Sequence, residues 1–164
     1  MADVLHGTVE QGVLLAAPID TVWRAFTDLE VRDRWFSMPG SRTGQTHELD
    51  FRIGGTETAT GTLFNFDHEE RLVHRSRFID IVEPGSVTNG RITTVYDFLL
   101  NDELKLASLL TIELRAEAGG TRLGYLEQYQ YFGVVGDGSA ERGERAGGTR
   151  FLLRRLGIAL EEVH

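Results

Sequence analysis

The stretch Thr121–Tyr131 reads Thr-Arg-Leu-Gly-Tyr-Leu-Glu-Gln-Tyr-Gln-Tyr and places a carboxylate among aromatic residues. It alternates with the two-residue period of a half-buried β-strand. Leu123, Tyr125, Glu127, Tyr129 and Tyr131 share one face; Arg122, Gly124, Leu126, Gln128 and Gln130 share the other. The first face is the more aromatic, so it is expected to point inward. A filled apolar core rarely accepts an unpaired carboxylate, because burying a charge is costly. A cavity that holds water or a polar ligand accepts it. Three roles follow for Glu127. It can pair with an arginine of the C-terminal segment such as Arg145, contact a ligand's hydroxyl or amine, or act as a general acid or base if burial raises its pKa.

Tyr96, Tyr125, Tyr129 and Tyr131 offer apolar area with one hydrogen-bonding tip each. They can line such a cavity or pack with their hydroxyls at its rim. Ser108 lies on an otherwise aliphatic face and can bond a ligand or its own backbone. It has no His and Asp partners in sequence, which argues against a nucleophile. Phe51 and Phe78 stand between core and cavity, whereas Trp23, Phe26 and Trp35 read as a helical wall of the core. Arg52 is expected to pair with Asp50 or a neighbouring strand. The histidines, at 6, 47, 68, 74 and 164, form no His-x-x-x-His pair, so no metal is expected. His74 either faces the cavity beside Ser76 and Phe78 or is a satisfied strand histidine. The glycines at 133, 136 and 138 do not match a dinucleotide fingerprint, and no phosphate-binding loop is present. No cofactor is called for.

The elements that must position these residues follow from periodicity. Val9–Leu15 reads as a first strand, ended by Ala16-Ala17-Pro18. Pro18 suits the first position of a helix. Ile19, Val22, Trp23 and Phe26 then fall on one helical face. Asp28 is placed to cap a second short helix carrying Val31 and Trp35, and Pro39-Gly40 closes the region. From Thr46 the period becomes two, with Leu49, Phe51 and Ile53 on one face up to Gly54-Gly55. Further strands are predicted over Glu57–Phe66, from about Arg71 to Val82, over Arg91–Leu100 and over Leu106–Leu114, before the Thr121 strand. Ser139 is placed to cap a last helix, whose stripe of Leu152, Leu156, Ala159, Leu160 and Val163 extends back to Thr149, Gly148 and Arg145. Tight connections imply an antiparallel meander, and its inner face needs a cover. The terminal helix is the only element large enough to provide it.

The 164 residues suggest one domain, 1–164, long enough to bury a core unaided. There are no cysteines, which excludes disulfides and thiol chemistry. A net charge of −8, with acids interspersed among the arginines, argues against nucleic acid. No apolar run approaches the ~20 residues of a membrane span. A cytoplasmic location is expected, as a monomer or a homodimer.

The order of elements resembles the helix-grip fold of the START-like (SRPBCC) superfamily. Ala17-Pro18-Ile19-Asp20-Thr21-Val22-Trp23-Arg24-Ala25-Phe26-Thr27 is similar to its opening helix. Asp50-Phe51-Arg52-Ile53-Gly54-Gly55 resembles the Asp-x-Arg-x-Gly-Gly signature of the branch named for the activator of the heat-shock-protein ATPase. Gly119-Gly120-Thr121-Arg122-Leu123 matches the turn opening its last strand. Glu127-Gln128, Phe132-Gly133 and Arg145-Ala146-Gly147-Gly148-Thr149 with Leu152 and Leu153 are similar to a bacterial subgroup. The resemblance implies a deep hydrophobic cavity between the sheet and the last helix, in a superfamily that includes polyketide cyclases, aromatases, lipid carriers and hormone receptors. Fold alone does not fix function here.

The expectation is an α+β helix-grip domain: a curved antiparallel sheet of about seven strands around a long C-terminal helix, with two short helices after the first strand. Its expected task is to bind a small, mostly apolar organic ligand in that cavity. Phe51, Phe78, Tyr96, Phe98, Ser108, Tyr125, Glu127, Tyr129, Gly148 and Leu152 are the candidate lining residues. The alternatives are an enzyme of polyketide-cyclase type moving a proton through Glu127, and an interaction or stress-related module without ligand.

Overall fold

A computed structural model describes residues 3–38, 44–65 and 67–163. The expected closure at Pro39-Gly40 and the strand end at Phe66 lie outside them. Strand β1 (Val4–Leu15) is followed by helices α1 (Ile19–Thr27) and α2 (Leu29–Trp35). Six strands come next: β2 (Thr46–Leu49), β3 (Thr56–Asn65), β4 (His68–Val82), β5 (Gly90–Leu100), β6 (Glu103–Glu117) and β7 (Gly120–Phe132). The long helix α3 (Ser139–Glu161) follows. All seven strands join one antiparallel sheet in the order β1-β7-β6-β5-β4-β3-β2. Consecutive hairpins build it from β2 to β7, and β1 closes the far edge against β7. Bulges at Phe78/Asp80 and Phe98/Leu99 bend the long central strands, and the sheet curves around α3.

The predicted periodicities map onto this sheet with four local differences. β1 begins at Val4, five residues before the apolar run that marked it. Pro18 is the residue before α1, not its first. The alternation through Phe51 and Ile53 does not continue β2, which ends at Leu49. The chain instead folds back there: the Arg52 N–H donates to the Asp50 carbonyl and the Gly55 N–H to the Arg52 carbonyl. A Cβ on Gly55 would lie 2.1 Å from the Asp50 carbonyl oxygen, so the second glycine of the motif is sterically required. Finally, Ser139 does not cap α3. Gly138 occupies the cap position with φ 77°, and the Asp137 carboxylate accepts the Ser139 N–H at 3.0 Å. Asp28 does cap α2, accepting the Glu30 N–H at 3.0 Å.

The two halves of α3 have different surroundings. Leu156, Ala159 and Leu160 are buried in a solid core with Val22, Trp23, Phe26 and Trp35 of the short helices and Leu114 and Leu123 of the sheet. The Trp35 indole N–H is satisfied by the Ala25 carbonyl at 2.8 Å. The N-terminal half, from Glu141 to Leu153, instead bridges a pocket over the centre of the sheet.

Candidate functional site

The pocket has a volume of about 900 Å³ and lies between the concave sheet face and the first half of α3. Alternation puts its walls in place. Phe51, Phe78, Tyr96, Phe98 and Tyr125 come from the turn after β2 and from β4, β5 and β7; Gly148 and Leu152 come from α3. Phe51 and Phe78 meet edge to face at 4.9 Å. A Cβ on Gly148 would meet nothing within 4 Å, so its missing side chain opens space.

Three sequence candidates sit elsewhere. Ser108, Glu127 and Tyr129 do not line this pocket. Tyr129 is buried but its ring covers Gly7 of β1, its register partner. Glu127 and Ser108 lie one layer behind the wall. Glu127 is fully buried at 0 % exposure, and four donors converge on it. The Tyr96 hydroxyl, in a very short contact, and the Ser108 hydroxyl at 2.7 Å both donate to Oε1. The Tyr125 hydroxyl at 2.9 Å and Arg145 Nε at 3.0 Å donate to Oε2. Of the three roles open to it, the ion pair with Arg145 is the one this geometry realises. Burial pushes the Tyr125 phenol up to about 12, with the Glu127 charge adding to the effect. Burial likewise raises Tyr96 well above the usual phenol range. Both hydroxyls are therefore fixed donors to the carboxylate. Burial opposes the charge on Arg145, but the oxygens of Tyr96, Glu127 and Tyr125 outweigh it and hold the guanidinium charged.

A second polar cluster forms the opposite corner of the pocket. Arg32 of α2 grips Glu57 of β3 with two hydrogen bonds, at 2.8 and 3.0 Å. His47 of β2 bridges the same Glu57 at 2.8 Å and Asp33 at 2.9 Å. Burial alone would raise the Glu57 carboxyl, yet Arg32 and His47 hold it well below the usual carboxylate range. Burial would likewise lower His47, and its bonds to Glu57 and Asp33 raise it instead. The Arg32 guanidinium also stacks 4.0 Å from the Phe36 ring centroid. Sequence reasoning did not find this cluster. The available signal was Glu57 sharing a strand face with Ala59 and Gly61, a carboxylate on an inward-facing row as at Glu127.

His74 of β4 lies beside this corner and lines the pocket between the rings of Phe36 (4.9 Å) and Tyr96 (4.7 Å). The sequence left it between cavity-facing and satisfied. It faces the cavity, and neither ring nitrogen has a hydrogen-bond partner among the described residues. Arg52 pairs with Asp50 at 2.9 Å, as expected. Among the described residues no group of three or more His, Cys, Asp or Glu side chains could hold a metal ion, and no helix is long and apolar enough to cross a membrane.

A seven-stranded antiparallel sheet gripping one long helix over an inner pocket defines a START-like helix-grip protein. The chain belongs to the family described as Activator of Hsp90 ATPase homolog 1-like protein, which matches residues 16–161. Among solved structures it is similar to an uncharacterised protein from Rhizobium leguminosarum, with 32% identity, 99% of each chain covered and a TM-score of 0.81. It is also similar to the protein Mll3558 from Rhizobium loti, with 31% identity over 96% of this chain and 99% of that one, and a TM-score of 0.76. A likeness of fold alone extends to DynU16 of the dynemicin biosynthetic locus, at 22% identity and TM-score 0.58, over 94% of this chain and 47% of that one. No protein with a curated description matches the chain.

Proposed function

We propose that the protein binds a small, mostly apolar organic molecule in the pocket beneath the first half of α3. The observation that carries this reading is a pocket of about 900 Å³ lined by Phe51, Phe78, Phe98, Tyr96 and Leu152 in a chain otherwise long enough to pack solid. A volume of that size suits a drug-sized ligand. The buried charges Arg32 and Arg145 are paired with Glu57 and Glu127, and the remaining lining carboxylates Glu141 and Glu144 oppose an anion, which favours an uncharged guest.

A polyketide-cyclase-like reaction through Glu127 is the weaker reading, because Glu127 already accepts four hydrogen bonds and lies behind Tyr96 and Tyr125. The fold it shares with DynU16 is compatible with either reading.

Native mass spectrometry of protein purified from its own host tests the proposal, with Gly148→Leu as the paired variant. The wild type should carry a bound small molecule. Leucine at 148 should fill open space and expel it, while replacing a helical glycine should raise stability by about 0.5–1 kcal/mol. A bound species retained in equal amount by the variant would place it somewhere other than this pocket.

A further inference from the structure

His74 lines the pocket without a hydrogen-bond partner among the described residues, and Oε2 of Glu141, another lining residue, is likewise buried without one. His74 is 8 % exposed, and its ring contacts those of Phe36 and Tyr96. Most buried polar side chains have a hydrogen-bond partner, and those without one call for a specific cause. Two nitrogens with no partner among the described residues, on a ring held edge-on to Phe36 and tilted against Tyr96, mark a place where a ligand's polar group would be welcome.

We infer that His74 is the specificity-determining residue of the pocket, and that it hydrogen-bonds the hydroxyl of a neutral, flat aromatic alcohol of the phenol type. The inference rests on the proposed ligand-binding role and adds the ligand's chemistry to it.

The class follows from the surrounding charges. Burial pushes the imidazole down to about 4, so the ring is neutral near pH 7 and offers one donor and one acceptor. A carboxylate or phosphate would need an unneutralised cation. Arg32 and Arg145 are each already committed to a buried carboxylate, Lys105 pairs with Glu103 at 2.7 Å, and Arg155, which has no carboxylate partner among the described residues, donates to the Arg34 carbonyl at 3.1 Å and the Ser37 hydroxyl at 3.2 Å. Glu141 and Glu144 of α3 also line the pocket and would repel an anion. A neutral hydroxyl suits an imidazole flanked this way, and a flat ring suits a wall lined by Phe51, Phe78 and Phe98.

The test uses two probes of nearly equal shape, 2-naphthol and 2-methylnaphthalene, titrated into the full chain and into His74→Phe. Both should bind the wild type. His74→Phe should weaken 2-naphthol by about tenfold, the scale of one hydrogen bond in a desolvated site, and leave 2-methylnaphthalene within about twofold. Nitrogen-15 NMR of the wild-type His74 ring gives a readout independent of the variant's folding. Its ring shifts should move with 2-naphthol and stay nearly fixed with 2-methylnaphthalene. If both probes bind but respond alike to the substitution, or move the ring shifts alike, His74 does not select a hydroxyl and the inference fails while the binding role stands. If neither probe binds the wild type, the binding role fails and takes the inference with it.

Discussion

Four donors on one buried carboxylate decide what Glu127 does. Its lone pairs are occupied by Tyr96, Ser108, Tyr125 and Arg145, so it organises the pocket floor from behind. The pair tolerates burial because each charge has the other as well as neutral donors. Removing one member leaves an uncompensated charge, so Arg145→Leu should cost about 3–5 kcal/mol in denaturant unfolding, a far larger loss than a surface arginine such as Arg24 would give. The sequence made Glu127 legible as an inward carboxylate and named Arg145 as a partner. It could not supply the other three donors as a set. Tyr96 and Ser108 sit 31 and 19 residues away, and only the β5–β6–β7 register brings them together.

His74 in the pocket and His47 behind Glu57 should make opposite contributions to stability against pH. His47 has a raised pKa, so its contribution is full below about pH 6.5 and fades as pH rises through the folded value. His74 is lowered to about 4, so its contribution is full above about pH 6.5 and is lost as pH falls toward 4. Glu57, also lowered, contributes above about pH 4.5 and loses that below it. The interval from pH 6.5 to 4.5 therefore isolates His74. Over it, wild-type stability should fall by about 2–3 kcal/mol more than that of His74→Phe, measured by urea unfolding at each pH. Equal slopes would mean His74 is not buried neutral.

At the scale of elements, the sheet was readable and its joints were not. Strict alternation in Leu106, Ser108, Leu110, Ile112 and Leu114 marked β6 because one face is buried against the core. The same alternation misled at Phe51 and Ile53, where turn hydrogen bonds override it. Aromatic Phe51 still reaches the pocket, from a turn instead of a strand. The pairing of β1 with β7 was also hidden, because it joins residues over a hundred positions apart, such as Leu15 with Thr121. That pairing carries a sharp steric demand at Gly7, where a Cβ would lie 2.3 Å from the Tyr129 ring. Tyr129 is buried and meets Tyr131 edge to face at 5.6 Å, so it has little room to withdraw. Gly7→Ala should therefore destabilise the protein by about 1–3 kcal/mol, read from the shift in the urea midpoint. No loss would mean the β1–β7 edge is looser than this register implies.

At the scale of the whole molecule, the fold is a grip with a packed core at one end of α3 and a pocket at the other. The C-terminal half of α3 locks into the short helices, and its N-terminal half, carrying Gly147-Gly148 within a continuous helix, roofs the pocket. The order of the predicted elements places the hollow under the last helix, with Gly148 and Leu152 in its lining. It does not reveal the polar corner built from β2, β3 and α2, because no local pattern connects those elements. The most direct measurement is an amide shift-mapping titration of the labelled wild type with 2-methylnaphthalene. The account predicts saturable changes confined to the inner face, around Phe51, Phe78, Phe98 and Gly148–Leu152. Changes centred on the outward-facing Val95, Leu109 and Leu126, or none at saturating probe, would contradict it.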